Sequence, residues 1–248
     1  MLCHDDGVSG ISVTAPPLVG PALIEQFWCD LTFVHWPVRP SAVAHMYPPG
    51  TRPDVFDDGL TYVGLIPFIL RHTTIAGTTR LPHFGTFAET NVRLYSMDDA
   101  GRHGVLFRSL ETERLAVVPV TRIGLGVPYT WAKMRVTRDG DRIRYESVRR
   151  WPRPGLRSRL EVTVGAAIEP EPLQVWLTAR WGAHTRNAGR TWWVPNEHAT
   201  WPLHTAEIRG LHDDLLDASG VGVAGPRLPA TFSPGVWARF GRPVSIHR

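Results

Sequence analysis

The chain has 248 residues, 43% hydrophobic and 20% charged, with 23 Gly, 22 Pro and 10 Trp, a profile that excludes disordered and collagen-like proteins. Its longest apolar runs, such as residues 62–70, fall far short of the roughly 18–20 residues a membrane-spanning helix needs. The formal net charge is +4, and of 27 basic residues only Lys133 is not Arg. Codon bias in a GC-rich gene accounts for that excess; Lys133 is either a chance survivor or a position that needs an amine able to lose its proton.

Residues 1–22, with Gly7, Gly10, Pro16, Pro17, Gly20 and Pro21, hold no sustained period and read as a flexible N-terminal tail. Asp5 and Asp6 stand where a secretory leader carries Lys or Arg, so a cytoplasmic protein is expected. Cys3 and Cys29 make no CxxC pair and read as free thiols. Residues 23–248 read as a single domain. Ser41, Ala42, Val43 and Met46 suit a short capped helix stopped by Pro48, Pro49 and Gly50. Past the turn at Asp57, Asp58 and Gly59, residues 60–70 read as a largely buried strand. Shorter strands are expected at 86–95, 104–110, 115–120, 129–136, 142–150 and 160–167, with hairpin loops at 98–101 and 138–141. Leu173, Trp176 and Leu177 have helical spacing ending near Gly182, and Leu211, Leu215 and Leu216 suit a second helix closed by Gly220. The expected fold class is mainly β (α+β), an antiparallel sandwich or barrel with a few short helices.

Familiar motifs lead nowhere. Gly220, Gly222 and Gly225 spell GxGxxG, yet a helical segment precedes them, Pro226 and Pro229 bar a helix after them, and no acidic residue follows. They read as a glycine-rich helix exit. No two His have the i, i+4 spacing of a helical zinc site, so no metal is expected. Residues 149–159 hold five Arg and Trp151, which suits either phosphate binding or a solvated hairpin loop; without a nucleic-acid module the loop is preferred. GxSxG and Walker motifs are missing, and no cofactor is implied.

Two stripes carry more. Alternation puts Glu89, Asn91, Arg93 and Tyr95 on one face of a strand, either the wet side of a sheet or the lining of a cavity suited to a polar small molecule. Tyr129, Trp131 and Lys133 share a face if their strand is regular, where aromatic neighbours either lower the amine pKa or are covered by a snorkelling stem.

Several segments together resemble the YqjF-like family of the acetoacetate decarboxylase-like superfamily. They are residues 31–38 around His35, 62–68 around Gly64, 87–95 around Glu89, 127–134 around Tyr129, and 198–203 from His198 to Leu203. The resemblance spans about Phe27 to Pro243 and implies a β barrel or cone with an internal cavity. The decarboxylases form a Schiff base on a lysine in the pattern Gly-Arg-Glu-x-x-Gly-x-Pro-Lys. Arg122, Gly126 and Pro128 match its spacing, but Tyr129 replaces the nucleophile and Ile123 the glutamate. Acetoacetate decarboxylation by that route is therefore not expected, and Lys133, about 13 Å further along a strand, is too far to be assumed its substitute. Glu89 matches the acidic residue that the relatives keep.

The expected function is acid–base chemistry on a small carbonyl or carboxylate metabolite, of lyase, dehydratase, isomerase or cyclase type. Glu89, Tyr129, Lys133 and His198 are the catalytic candidates, with a structural turn residue as the other reading of His198. Arg93, Arg122, Asn91, Trp131 and His35 are the substrate-binding candidates. The alternative is a protein that holds a ligand without converting it. Nucleic-acid and membrane partners are not expected, and a homo-oligomer is left open.

Overall fold

Alternating and doubly apolar segments divide the labour in this chain. The computed structural model describes residues 10–76 and 85–247. Among them one sheet contains β1 (Ile24–Val38), β2 (Thr51–Pro53), β3 (Thr61–Ile75), β4 (Phe87–Asp98), β5 (His103–Thr112), β6 (Tyr129–Asp139), β7 (Arg142–Trp151), β8 (Arg157–Ile168), β9 (Gly182–Asn187), β10 (Arg190–His198), β11 (Leu203–Asp213), β12 (Ala230–Phe240) and β13 (Val244–His247). The helices are α1 (Pro40–Val43), α2 (Val117–Leu125), α3 (Pro172–Thr178) and α4 (Leu215–Ala218). None is long and apolar enough to cross a membrane.

Pairing closes the sheet on itself twice. One ring runs β4-β5-β6-β7-β8-β11-β12-β1-β3 and returns to β4; the other runs β5-β9-β10-β12-β1-β3-β4 and returns to β5. Strands β12, β1, β3, β4 and β5 belong to both rings. A wall between two interiors has little solvent face, so its residues must be apolar or internally paired on both sides. Residues 61–70 of β3 and nearly all of β4 are accordingly buried without alternation. β7 alternates, because one of its faces meets water. Val34, Leu65, Val92, Leu94, Ile143 and Leu160 fill the first ring. The sheet is antiparallel except at β5, where Leu110 to Thr112 pair in parallel with β6 and Val105 with Ala183 of β9.

Some local expectations need correction. Residues 115–120 belong not to a strand but to the start of α2, where Pro119 falls in the first turn, whose N–H groups need no intrahelical partner. Leu211 lies on β11 rather than on a helix, because β11 stays paired to β8 as far as Asp213. Only one helical turn follows, with the Asp213 carboxylate accepting Leu216 N–H at 2.8 Å. The expected tail falls partly outside the described residues, as does Cys3; from Gly10 onward it is mostly exposed but held at a few points. Ile11 is buried, Trp181 Nε1 donates to Ser12 O, and Leu18 N–H donates to Glu197. Cys29 is a buried free thiol.

The Arg-rich segment 149–159 forms the β7–β8 connection, but Arg149 turns inward. Its Nε lies 3.1 Å from both carboxylate oxygens of Glu111, and Nη2 also donates to that carboxylate; both residues are buried. Glu111→Ala leaves a guanidinium without its partner in the interior, and the unfolding free energy in urea is expected to fall by about 3–5 kcal/mol. Replacing both partners by apolar residues is expected to restore much of that loss, and equal stability of Glu111→Ala and wild type would show that the pair contributes nothing.

Candidate active site

The site begins where α2 hands the chain to β6. Gly126 ends α2 at φ 67°, its N–H reaching Arg122 O while Val127 N–H reaches Thr121 O. A Cβ on Gly126 would lie 2.2 Å from the Arg186 carbonyl oxygen, so only glycine fits. Pro128 O then accepts Leu110 N–H, and Tyr129 enters β6 in register with Leu110 of β5, itself opposite Asn91 of β4. From there the Tyr129 hydroxyl donates to Glu89 Oε2 at 2.8 Å.

Glu89 is 4% exposed. Burial pushes its carboxyl up to about 8, against hydrogen bonding from Tyr129 and Asn91. Burial and the adjacent carboxyl hold the Tyr129 phenol well above its ordinary value. Asn91 is buried on the same face of β4, and its Oδ1 has no partner.

Two residues further on, Arg93 donates to Tyr95 Oη through Nε at 3.3 Å and Nη2 at 3.2 Å, and to Leu177 O at 3.1 Å. His35 Nε2 lies 2.6 Å from the same phenol oxygen. Gly64 sits in register between His35 and Arg93, and a Cβ there would come within 3.1 Å of the His35 ring. Burial, with Arg93 and Arg180 nearby, holds His35 well below the usual imidazole range. The neutral ring therefore accepts the Tyr95 hydroxyl proton at Nε2 while that oxygen accepts from Arg93. His198 lies among Trp181, Trp201 and Trp28, with centroids at 4.7, 5.0 and 5.9 Å, and donates Nδ1–H to Ala199 O. Burial lowers its pKa to about 4.

Thus Glu89, Asn91 and Tyr129 meet directly, and His35 and Arg93 converge on Tyr95. Arg122 does not face a ligand as a clamp: its Nη1 donates to the Tyr129 carbonyl oxygen at 2.9 Å, and its guanidinium lies over Trp151. It positions Tyr129. Trp131, aligned with Glu89 through Thr112, packs under Arg150. Lys133 is exposed; β6 itself keeps its alternation through Tyr129, Trp131 and Lys133, because the register shift opposite Trp131 and Ala132 puts its extra residue, Arg150, on β7.

Arg180 was missing from the expected set. It is buried, lies over Trp176 at 4.0 Å and Tyr95 at 4.8 Å, donates through Nη1 to Asp54, and has an unpartnered Nη2. The one sequence cue was an arginine next to Trp181 in an otherwise apolar stretch. No grouping of three His, Cys, Asp or Glu suited to a metal ion occurs among the described residues.

With this geometry in hand, comparison with known proteins is informative. A family model described as uncharacterized conserved protein matches residues 25–237. The chain belongs to the DUF2071 family. It is 27% identical over 201 residues to the uncharacterized protein YqjF of Bacillus subtilis, covering 80% of this chain and 82% of that one. In fold it is similar to the enduracididine biosynthesis enzyme MppR complexed with pyruvate, with a TM-score of 0.62, 15% identity and coverage of 92% and 91%. It is also similar to acetoacetate decarboxylase from Legionella pneumophila, with a TM-score of 0.64, 12% identity and coverage of 97% and 96%. The DUF2071 chain therefore has the acetoacetate decarboxylase-like fold.

The raised carboxyl has a measurable consequence. Between about pH 4.5 and 8 the folded chain keeps the Glu89 proton while the unfolded chain has lost it, so this group makes stability fall as pH rises, by at most about 1.4 kcal/mol per unit. The buried histidines, held below their usual range, act with the opposite sign at the acid end. The difference in urea unfolding free energy between wild type and Glu89→Gln isolates the carboxyl: it is expected to decline from pH 5 to 8, and a flat difference would mean an unshifted Glu89.

Proposed function

We propose that this protein is an enzyme acting by acid–base chemistry on a small carbonyl-containing metabolite. The observation that carries this reading is the 2.8 Å Tyr129–Glu89 hydrogen bond in surroundings that keep the carboxyl protonated near neutral pH. A neutral buried carboxylic acid can donate to a carbonyl oxygen, stabilise the enolate or alkoxide as charge develops, and transfer its proton. Tyr129 orients that carboxyl and takes up part of its charge once the proton has gone.

The cationic groups further along the face suit a substrate carboxylate: Arg93, with Arg180 Nη2 as an unpartnered donor, while Asn91 Oδ1 is a free acceptor for a substrate hydroxyl. Neutral His198, with Nδ1 bonded to Ala199 O, keeps Nε2 as a hydrogen-bond acceptor for a substrate hydroxyl. The pyruvate bound by MppR, a distant relative in fold, favours an oxo acid as the substrate class. An imine on Lys133 finds no support, because Lys133 is exposed and Tyr129 stands where the decarboxylases carry their amine. Proton transfer by side chains alone suffices for lyase, dehydratase, isomerase or cyclase chemistry in the cytoplasm. The Trp28, Trp181 and Trp201 cage favours one second reading, a protein that binds its ligand without converting it.

A panel of 2-oxo and 3-oxo acids, followed by NMR for both binding and conversion, separates the two. Glu89→Gln and Tyr129→Phe are expected to lower kcat by about 10²–10⁴-fold while ligand shifts persist. Undiminished turnover in Glu89→Gln would overturn the assignment, and binding without turnover in wild type would establish the binder.

A further inference from the structure

A half-open cleft of about 280 Å³ lies apart from the Glu89–Tyr129 pair and includes none of its residues. Its walls come from the 3-10 turn after α1, from β5, from the α2–β6 segment and from β9. Met46, Pro48, Leu106, Phe107 and Pro128 make it apolar on one side. Its charged lining is all of one sign: Arg108 and Arg186 border it, His45 and His184 add imidazoles, and no acidic residue takes part.

Two of these polar groups are unsatisfied. Arg108 Nε is buried without a hydrogen-bond partner, and among the described residues the guanidinium's one bond is a long 3.3 Å contact from Nη2 to Ser219 O. Thr185 Oγ1 is likewise buried without a partner. Arg186 is exposed and enters no ion pair among the described residues. His45 is exposed, and the other two polar side chains are committed elsewhere. His184 is held between Ser96 Oγ at 2.7 Å and Asp98 Oδ2 at 3.3 Å, and the Tyr47 hydroxyl donates to Tyr95 O. Asp98, the carboxylate behind this wall, is bound by Arg102 as well. The planar fork of Arg suits an oxyanion, and among the described residues no carboxylate occupies the Arg108 guanidinium.

We infer that this cleft is a second binding site, for a small organic carboxylic acid with an apolar body. Its carboxylate lies beside the Arg108 guanidinium with Arg186 at the mouth, and its apolar part lies against Leu106, Phe107 and Pro128. The volume is that of a compact metabolite rather than of a peptide or nucleotide chain. The inference is independent of the chemistry assigned to Glu89.

Phenylacetate serves as the probe, with acetate and inorganic phosphate as head-group controls, in ligand-observed NMR and calorimetry on the full chain. Phenylacetate is expected to bind more tightly than either control. Arg108→Met is expected to weaken it by about tenfold or more, as loss of a charge-assisted hydrogen bond does, and Arg186→Gln to weaken it severalfold. Arg186 is exposed, so its variant tests the site even if Arg108→Met fails to fold. Glu89→Gln is expected to leave this binding unchanged. Absence of phenylacetate binding overturns the inference. Binding lost in Glu89→Gln but kept in Arg186→Gln places the ligand in the other site and overturns it as well, and equal affinity for acetate overturns the apolar half.

Discussion

Everything in this fold follows from a sheet used on both of its faces. β12, β1, β3, β4 and β5 separate two closed rings, so each residue along them must suit one interior or the other. Hydrophobic burial fixes the first: Val92 and Leu94 point into an aliphatic core. The residues between them, Asn91, Arg93 and Tyr95, then have no choice but to enter the second interior. Polar groups arrive there because the strand's period of two delivers them once its neighbours are anchored.

What those groups become is decided by the loss of water. Glu89 has a phenol and an amide beside it and no ion pair among the described residues, so burial dominates and the carboxyl stays neutral. Asp54 has Arg180 and His103, and its carboxylate is held below its usual value. The same residue class is thus a neutral acid in one place and a fixed counter-ion in the other. His35 remains neutral because desolvation and the charges of Arg93 and Arg180 act in the same direction, and His198 because desolvation outweighs its backbone hydrogen bonds.

Much of the fold was legible in the chain. Turn residues at 98–101 and 138–141 mark real hairpins, and helical spacing at Leu173, Trp176 and Leu177 marks α3. α2 was misread because Leu115 to Val120 is rich in β-branched residues, while the glycine that ends the helix comes later. The stripe from Glu89 to Tyr95 could be seen, but not its burial: a wet face and a face turned to a second interior carry the same alternation. Arg180 and the Arg149–Glu111 pair were hidden for another reason. With arginine so abundant, sequence offers nothing to distinguish a buried guanidinium from a solvated one.

β5 stands at the fork of both rings, hydrogen-bonded to β4 along its length, to β6 at one end and to β9 at the other. Two of its three neighbours therefore come from later in the chain, and β1 must wait for β12, nearly two hundred residues away, before either circle is complete. Such a topology gains few native contacts until distant segments have met, so the chain acquires its shape slowly and nearly all at once. During synthesis the N-terminal half exposes bare strand edges until its last partners emerge, which is the stage at which edge-to-edge pairing with other chains competes with folding.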